Sequence, residues 1–398
     1  MKRLLVLALT LAAGGAALFG GVAREAADAR PPDAERIALR GLELQQQARA
    51  TGNPSLYPRA ERELRRALEV DPRNAHAVRG LAALAASRHR FAESLRYARR
   101  ALRLEPGSAA ANGLVGDASL ELGRYDVAFA AFERMATLKP SASAYARISY
   151  ARELLGDVRG AIEAMELAVD ASIGVDEPSA WSRTLLGRLL LDSRRVGDAE
   201  LRFREALAFS PGYPAALSSL ADIRSRRGDL RGAVALYRRA AAGAPVPEHA
   251  ASLGDALARL GRHREAGRAW RRAEALERLF AANGGRNLLE TAEFDLDHDR
   301  TLRSALERAR RGRAERPSIE GDHVLAWALY KNGHCAEARR VSLRSLRLGT
   351  LDVDGLYHHS LIERCLGDAA AAEGYRARVR QLDPTYLAAP PSARRLTR

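Results

Sequence analysis

Prolines at 72, 106 and 140 stand 34 residues apart, and Pro211 and Pro245 repeat the interval. A fixed period of this length marks a solenoid of helix–turn–helix units. Each unit is too small to bury its apolar face alone and stacks on its neighbours to do so. A chain of 398 residues can therefore fold without the single large core that its length would otherwise require.

Other positions fall into step with the prolines. One unit reads Gly116, Gly123, Tyr125, Ala128, Phe132, Pro140 and another Gly187, Val196, Ala199, Phe203, Ala206, Pro211. Further on come Ala221, Gly228, Leu230, Ala233, Tyr237, Pro245, then Gly254, Gly261, His263, Ala266, Trp270. A small residue late in the first helix lets the second approach, and a Gly ends the first helix because it tolerates the left-handed turn. A large apolar residue on the second helix fills the next gap, and Pro follows because it cannot continue that helix.

This pattern resembles the tetratricopeptide repeat family over nearly all of the chain after its leader. The resemblance implies an all-α, right-handed superhelical α-solenoid of about ten units. They begin near residues 41, 75, 109, 142, 180, 214, 247, 286, 319 and 353. Trp327 to Gly333, Leu356 to Gly367 and Leu382-Asp383-Pro384 look like the closing repeats of exported bacterial members. The expected division is a leader at 1–29, a linker or helix start at 30–40, the solenoid at 41–387 and a disordered basic tail at 388–398. Three units depart from the pattern. The fourth is followed by an insertion, Ile173 to Pro178; the seventh runs into Phe280 to Gly285; the eighth has Glu293 where a small residue is expected. Bending or loosening is expected at these joints.

Met1-Lys2-Arg3 followed by an apolar stretch, Leu4 to Ala23, reads as a leader, with Ala27-Asp28-Ala29 or Gly21-Val22-Ala23 as cleavage sites. A retained membrane anchor is the alternative, at about 20 residues of apolar length. Either reading places the repeats outside the cytoplasm: secreted, at the cell surface or anchored. No Cys follows the leader, which excludes a lipoprotein.

The net charge is +15, and Lys2, Lys139 and Lys331 are the only lysines among 64 basic residues. Such an arginine skew is expected of a GC-rich genome, yet it still favours contact with anionic surfaces. The pairs Arg65-Arg66, Arg99-Arg100, Arg238-Arg239, Arg271-Arg272 and Arg339-Arg340 fall on expected second helices. Several lie late in the helix, where they complement its dipole. Aromatics do not alternate with them as base stacking requires, so nucleic acid is disfavoured.

In the family the first helix of each unit lines the concave face. The resemblance thus implies a groove through Arg147, Tyr150, Arg188, Asp222 and Asp255, small and polar, turning aromatic at Phe294, His323, Trp327, Tyr330 and Tyr357. Aromatic and Arg side chains are enriched at binding hot spots, and such a groove suits an extended peptide or an amphipathic helix. Packing between the last repeats is the competing role for Trp327 and Tyr330. The family's Lys and Asn clamp for a peptide carboxylate is missing. Cys335 and Cys365, the only cysteines, fall near turns that align along one edge; a disulfide or two free thiols are both open. Asp295 to Asp299 resembles a calcium loop, but Arg300 stands where Gly is required and Leu306 where Glu is. It reads better as a turn in which Asp299 caps the next helix. There is no Gly-rich phosphate loop, His-Glu-x-x-His or Gly-x-Ser-x-Gly. The expectation is a non-enzymatic scaffold with no cofactor or metal. It would bind a protein or peptide in the groove, for envelope or secretion complex assembly. The alternatives are binding of anionic cell-wall polymer or lipid by the arginines, and a structural spacer or self-assembling array.

Overall fold

A computed structural model describes residues 32–387 apart from 173 and 175. The expected leader and basic tail lie outside the described residues, which are all helical in their regular structure. Twenty α-helices form ten hairpins. In the first half these are α1 (Pro32–Thr51) with α2 (Tyr57–Val70), α3 (Ala75–Ser87) with α4 (Phe91–Leu104), α5 (Ala109–Glu121) with α6 (Tyr125–Leu138), α7 (Ala142–Leu154) with α8 (Val158–Asp170), and α9 (Asp176–Asp192) with α10 (Val196–Phe209). The second half pairs α11 (Pro214–Arg226) with α12 (Leu230–Gly243), α13 (Pro247–Arg259) with α14 (His263–Ala282), α15 (Leu288–Asp297) with α16 (Leu302–Glu315), α17 (Ile319–Lys331) with α18 (Cys335–Ser345), and α19 (Val353–Cys365) with α20 (Ala369–Leu382). The units start where the period places them, except that α1 begins at Pro32, α9 at Asp176 and α15 at Leu288. Pro178 falls in the first turn of α9, where proline is tolerated because those N–H groups lack intrahelical partners.

Side-chain caps mark several of the helix starts. Asn74, Ser108, Ser141 and Ser318 cap first helices, each side chain accepting the N–H three residues on. Asp157, Asp229 and Asp368 do the same for second helices. Close approach of the two helices depends on glycine. A Cβ on Gly116 would lie 2.2 Å from the Phe132 ring, on Gly187 2.5 Å from Phe203, and on Gly254 2.4 Å from Trp270.

The hairpin turns carry a residue at positive φ. It is Gly at 123, 156, 228, 261, 333 and 367, but His89, Arg194 and Asp299 in the second, fifth and eighth hairpins. Asp299 is therefore a left-handed turn residue and not the expected cap: Thr301 holds the N-cap position of α16 without a side-chain cap bond. The Asp299 carboxylate instead accepts from Lys331.

The solenoid winds back onto itself. Gly52 approaches Pro245 and Val246. Arg90 Nε donates to the Gly284 carbonyl at 2.9 Å, and the Arg286 N–H to the Arg88 carbonyl at 3.1 Å. The Ile319 N–H donates to Tyr125 Oη at 2.7 Å. Thr350 Oγ1 donates to the Leu154 carbonyl, and Arg194 pairs with Asp383 at 2.9 Å. The turns of hairpins one to five thus each touch the segment that follows the fifth hairpin after them, so between five and six hairpins complete one superhelical turn and the next turn rests on it. The seventh-unit irregularity takes part in this closure instead of loosening it. α14 runs on to Ala282, and its Phe280 packs edge-on to Tyr57 and His89 of the first turn.

Cys335 and Cys365, at the start of α18 and the end of α19, are joined by a disulfide with Cα atoms 6.2 Å apart. It fastens the last hairpin to the ninth.

Candidate functional site

The ten residues expected to line an open groove are placed along the first helices, but many are buried and engaged with neighbouring units. Arg147, only 4% exposed, donates through Nε and Nη2 to both oxygens of Asp117, at 2.8 and 2.7 Å. Arg188 Nε donates to Ser219 Oγ at 3.3 Å. Asp222 accepts from the buried Tyr237 hydroxyl, whose pKa is driven well up by burial and by that carboxylate. Trp327 is buried, stacks on His358 at 3.7 Å and on Tyr330 at 5.3 Å, and donates to Asp297 at 3.2 Å. His358 Nδ1 faces His323 Nε2 at 3.2 Å, and Tyr357 meets Tyr386 edge-on. The Arg147–Asp117, Arg188–Ser219, Trp327–Asp297, Trp327–His358 and His358–His323 pairs tie one unit to the next, and the others stay within a unit. Of the expected polar stretch, Arg147, Tyr150 and Asp255 are buried, while Arg188 and Asp222 are partly buried.

Two cavities of about 410 Å³ each lie among the described residues. The first lies between the superhelical turns. Tyr150 and Glu153 line it from the lower turn, and Glu320, His323, Asp354 and Tyr386 from the upper. Burial raises the Tyr150 pKa far up, helped by Glu121, Glu320 and Glu153. The second lies between the seventh and eighth hairpins, with Asp255 and Phe294 among its walls and Glu248, Glu274, Glu277 and Glu293 around them. Burial and the neighbouring Glu248 push Glu277 up to about 8, against the Asn287 amide that donates to it at 2.9 Å. His298 has an acceptor at each ring nitrogen, Asp255 at 2.8 Å and the Phe294 carbonyl at 2.6 Å. Both nitrogens can then donate only in the charged ring. Burial opposes that charge, but the two acceptors outweigh it and raise the His298 pKa.

Between the cavities sits a buried cluster that the repeat pattern does not announce. Arg316, 4% exposed, donates to Glu121 from Nε at 3.0 Å and from Nη2 at 2.8 Å, to Glu290 from Nη1, and to Glu320 at 3.3 Å. Phe91 lies under the guanidinium at 5.2 Å, and His89 Nδ1 is 3.4 Å from Glu290. One guanidinium cannot neutralise three carboxylates, and their pKa values part accordingly. Burial would raise Glu290, but Arg316 and His89 hold it down to about 2. Burial pushes Glu320 up to about 8, with Arg316 opposing and Glu121 and Glu290 adding to it. The only sequence signal for the cluster was the weakness of the eighth unit, which supplies Glu290 and leads into Arg316.

Ser342 Oγ lies 2.9 Å from His359 Nδ1, whose Nε2 is 3.0 Å from Glu363, but all three are buried and none lines either cavity. No group of His, Cys, Asp or Glu suited to hold a metal ion occurs among the described residues, and no helix there is long and apolar enough to cross a membrane.

Stacked helical hairpins with their first helices facing inward define a helical-repeat solenoid, a protein-interaction scaffold by class. The model of the tetratricopeptide repeat family matches residues 83–143 and 184–247. Those two stretches are tetratricopeptide repeats, and hairpins of the same kind recur along the described residues. No curated protein matches it. Among solved structures, TTC0263, a thermophilic tetratricopeptide repeat protein of Thermus thermophilus, is 18% identical over 45% of this chain and 92% of its own, with a TM-score of 0.40. The human IFIT1 dimer with PPP-AAAA is 12% identical over 87% and 85%, with a TM-score of 0.46. YrrB, a tetratricopeptide repeat protein with an unusual peptide-binding site, is 17% identical over 46% and 92%, with a TM-score of 0.31. These are distant likenesses of fold.

Proposed function

We propose that this protein is a non-enzymatic scaffold outside the cytoplasm that takes a segment of a partner protein against its inner face, in the assembly of an envelope or secretion complex. The observation that carries the reading is the pair of cavities, each of about 410 Å³, to which first helices contribute Tyr150 and His323 in one and Asp255 and Phe294 in the other. A segment entering them meets an aromatic wall at Phe294 and a surplus of carboxylates, since α15 carries Glu290, Glu293, Asp295 and Asp297 and no basic residue. Segments with Arg or Lys side chains are favoured accordingly. The location rests on the leader-like residues 1–29.

The test is capture from the native envelope fraction with residues 30–398 as bait, at low and high salt. A discrete protein held at high salt by the wild type and lost on Phe294→Ala or Tyr330→Ala is the expected result. Capture indifferent to both substitutions rejects the inner face.

The arginine surface supports a second reading. α12 bears Arg231, Arg238 and Arg239 and no acid. Arg239, Arg264, Arg271, Arg272 and Arg311 are exposed and enter no ion pair among the described residues. Retention of anionic polymer or lipid alone, released by salt, would favour this outer face.

A further inference from the structure

The contacts between superhelical turns do more than add stability, because they are also walls of a cavity. Ile319, Leu154, Thr350, Arg194 and Asp383 each make a contact between the turns and line the inter-turn cavity. Glu320 lines it too and is held by Arg316, which reaches down to Glu121 on the lower turn.

Two features mark the contact line as specified by the sequence. Where the hairpin turns use Gly at positive φ, the second, fifth and eighth use His89, Arg194 and Asp299, and the first two of these lie on the contact line. A left-handed conformation is unfavourable for both. Both side chains cross to the upper turn, His89 to Glu290 and Arg194 to Asp383. Residues in strained turns persist where surrounding contacts over-determine them. Conversely, Gly123 and Gly156 keep their glycine where the upper backbone comes closest. A Cβ there would lie 2.2 Å from the Pro317 carbonyl oxygen and 2.7 Å from that of Gly349.

We propose that this seam is a latch, pinned by Arg316, and that its opening admits ligands to the inter-turn cavity. The groups facing the pin are Glu121 from α5, His89 and Phe91 from the second hairpin, Glu290 from α15 and Glu320 from α17. A ligand entering the cavity meets Glu320, the carboxyl that Arg316 holds from the other side. The inference rests on the inner-face reading for its ligand, but the motion itself is testable without one.

Ser345 lines the cavity and is buried. In a Ser345→Cys chain with its disulfide intact, the new thiol is the only free one, and its rate of reaction with N-ethylmaleimide reports opening. The expected result is slow labelling, quickened more than about a hundredfold by Arg316→Met. Tyr125→Phe, which removes only the hydroxyl that accepts the Ile319 N–H, should quicken it about fivefold. Helical circular dichroism should be unchanged in the Tyr125→Phe protein. Equal labelling rates in wild type and Tyr125→Phe overturn the latch, whether or not Arg316→Met folds; so does a thiol that reacts in the wild-type background as fast as in an unfolded peptide. Failure of partner capture with normal gating would reject the inner-face reading and leave the latch standing.

Discussion

Arg316 and Glu121 lie 195 residues apart in the chain and meet in a buried ion pair, two guanidinium N–H groups converging on one carboxylate oxygen at 3.0 and 2.8 Å. The pair joins the end of α5 to the entrance of α17 and fixes the superhelical pitch at that point. Every residue of α17 from Ile319 to Leu329 is buried, so a helix that would line a solvent-filled groove is here a packed strut between two turns.

The three carboxylates around Arg316 are not equivalent, and substitutions should show it. Glu121→Gln removes the charge shared by two of the guanidinium's donors, and should destabilise the protein by about 2–4 kcal/mol, toward the cost of breaking a buried pair. Glu320→Gln should cost less than about 1 kcal/mol at pH 7, because burial already holds that carboxyl largely protonated, near 8. Urea denaturation of both variants at pH 7 checks the order, and equal losses would contradict the assigned protonation.

The same cluster predicts opposed pH dependences. The Glu290 carboxyl, held down to about 2 from its ordinary 4.5, contributes stability that is present above pH 4.5 and lost as pH falls toward 2. Glu320, pushed up from 4.5 to about 8, contributes stability that is complete below pH 4.5 and lost as pH rises to 8. The seam is thus tightest near pH 4.5. Urea midpoints measured from pH 3 to 9 should fall less steeply on the alkaline side in Glu320→Gln than in wild type. Glu290→Gln should flatten the acid side. Parallel profiles in all three proteins would refute the assignment.

The sequence period carried almost all of the fold, because each hairpin is specified by residues within one repeat: the Gly116–Phe132 contact, the caps at Ser108 and Ser141, the turn glycines. The inner-face residues were legible as positions but not as surroundings. Whether Trp327 stands in a groove or stacks on His358 depends on how units rotate against one another, which small packing differences accumulate over many repeats. The pairing of Arg316 with Glu121 lies wholly beyond one repeat, and no local pattern encodes an offset of 195 residues. The glycine exceptions at His89 and Arg194 were visible, yet a missing turn glycine reads as noise until the opposite turn of the solenoid is in place.

Glycine-to-alanine changes should separate packing from backbone freedom. Gly116→Ala and Gly187→Ala place a methyl 2.2 and 2.5 Å from a phenylalanine ring carbon, and should cost about 1–3 kcal/mol as overpacking. Gly107→Ala meets nothing within 4 Å and should raise stability by about 0.4–1 kcal/mol by stiffening the unfolded chain. Thermal unfolding of the three variants decides; a stable Gly116→Ala protein would mean that the helices of the third hairpin can separate without loss.

The disulfide makes the last prediction. Cys335 and Cys365 close a loop with a sequence separation of 30, for which the chain-entropy model gives about 3–4 kcal/mol. α20 ends the described solenoid, packed on α19 alone along its length, with Tyr386 beyond it donating to Asp354. Neighbour coupling is what stabilises a terminal repeat, so reduction should act there first. Amide exchange in α19 and α20 should rise under a reductant while exchange in α5 to α8 stays as it was. Arg194–Asp383 spans from the fifth hairpin to the segment just after α20, so Arg194→Ala in the reduced protein should free the tenth hairpin further, visible as exchange spreading to the amides around Thr350. Uniform loss of protection along the whole solenoid would instead show that the two superhelical turns unfold as one unit.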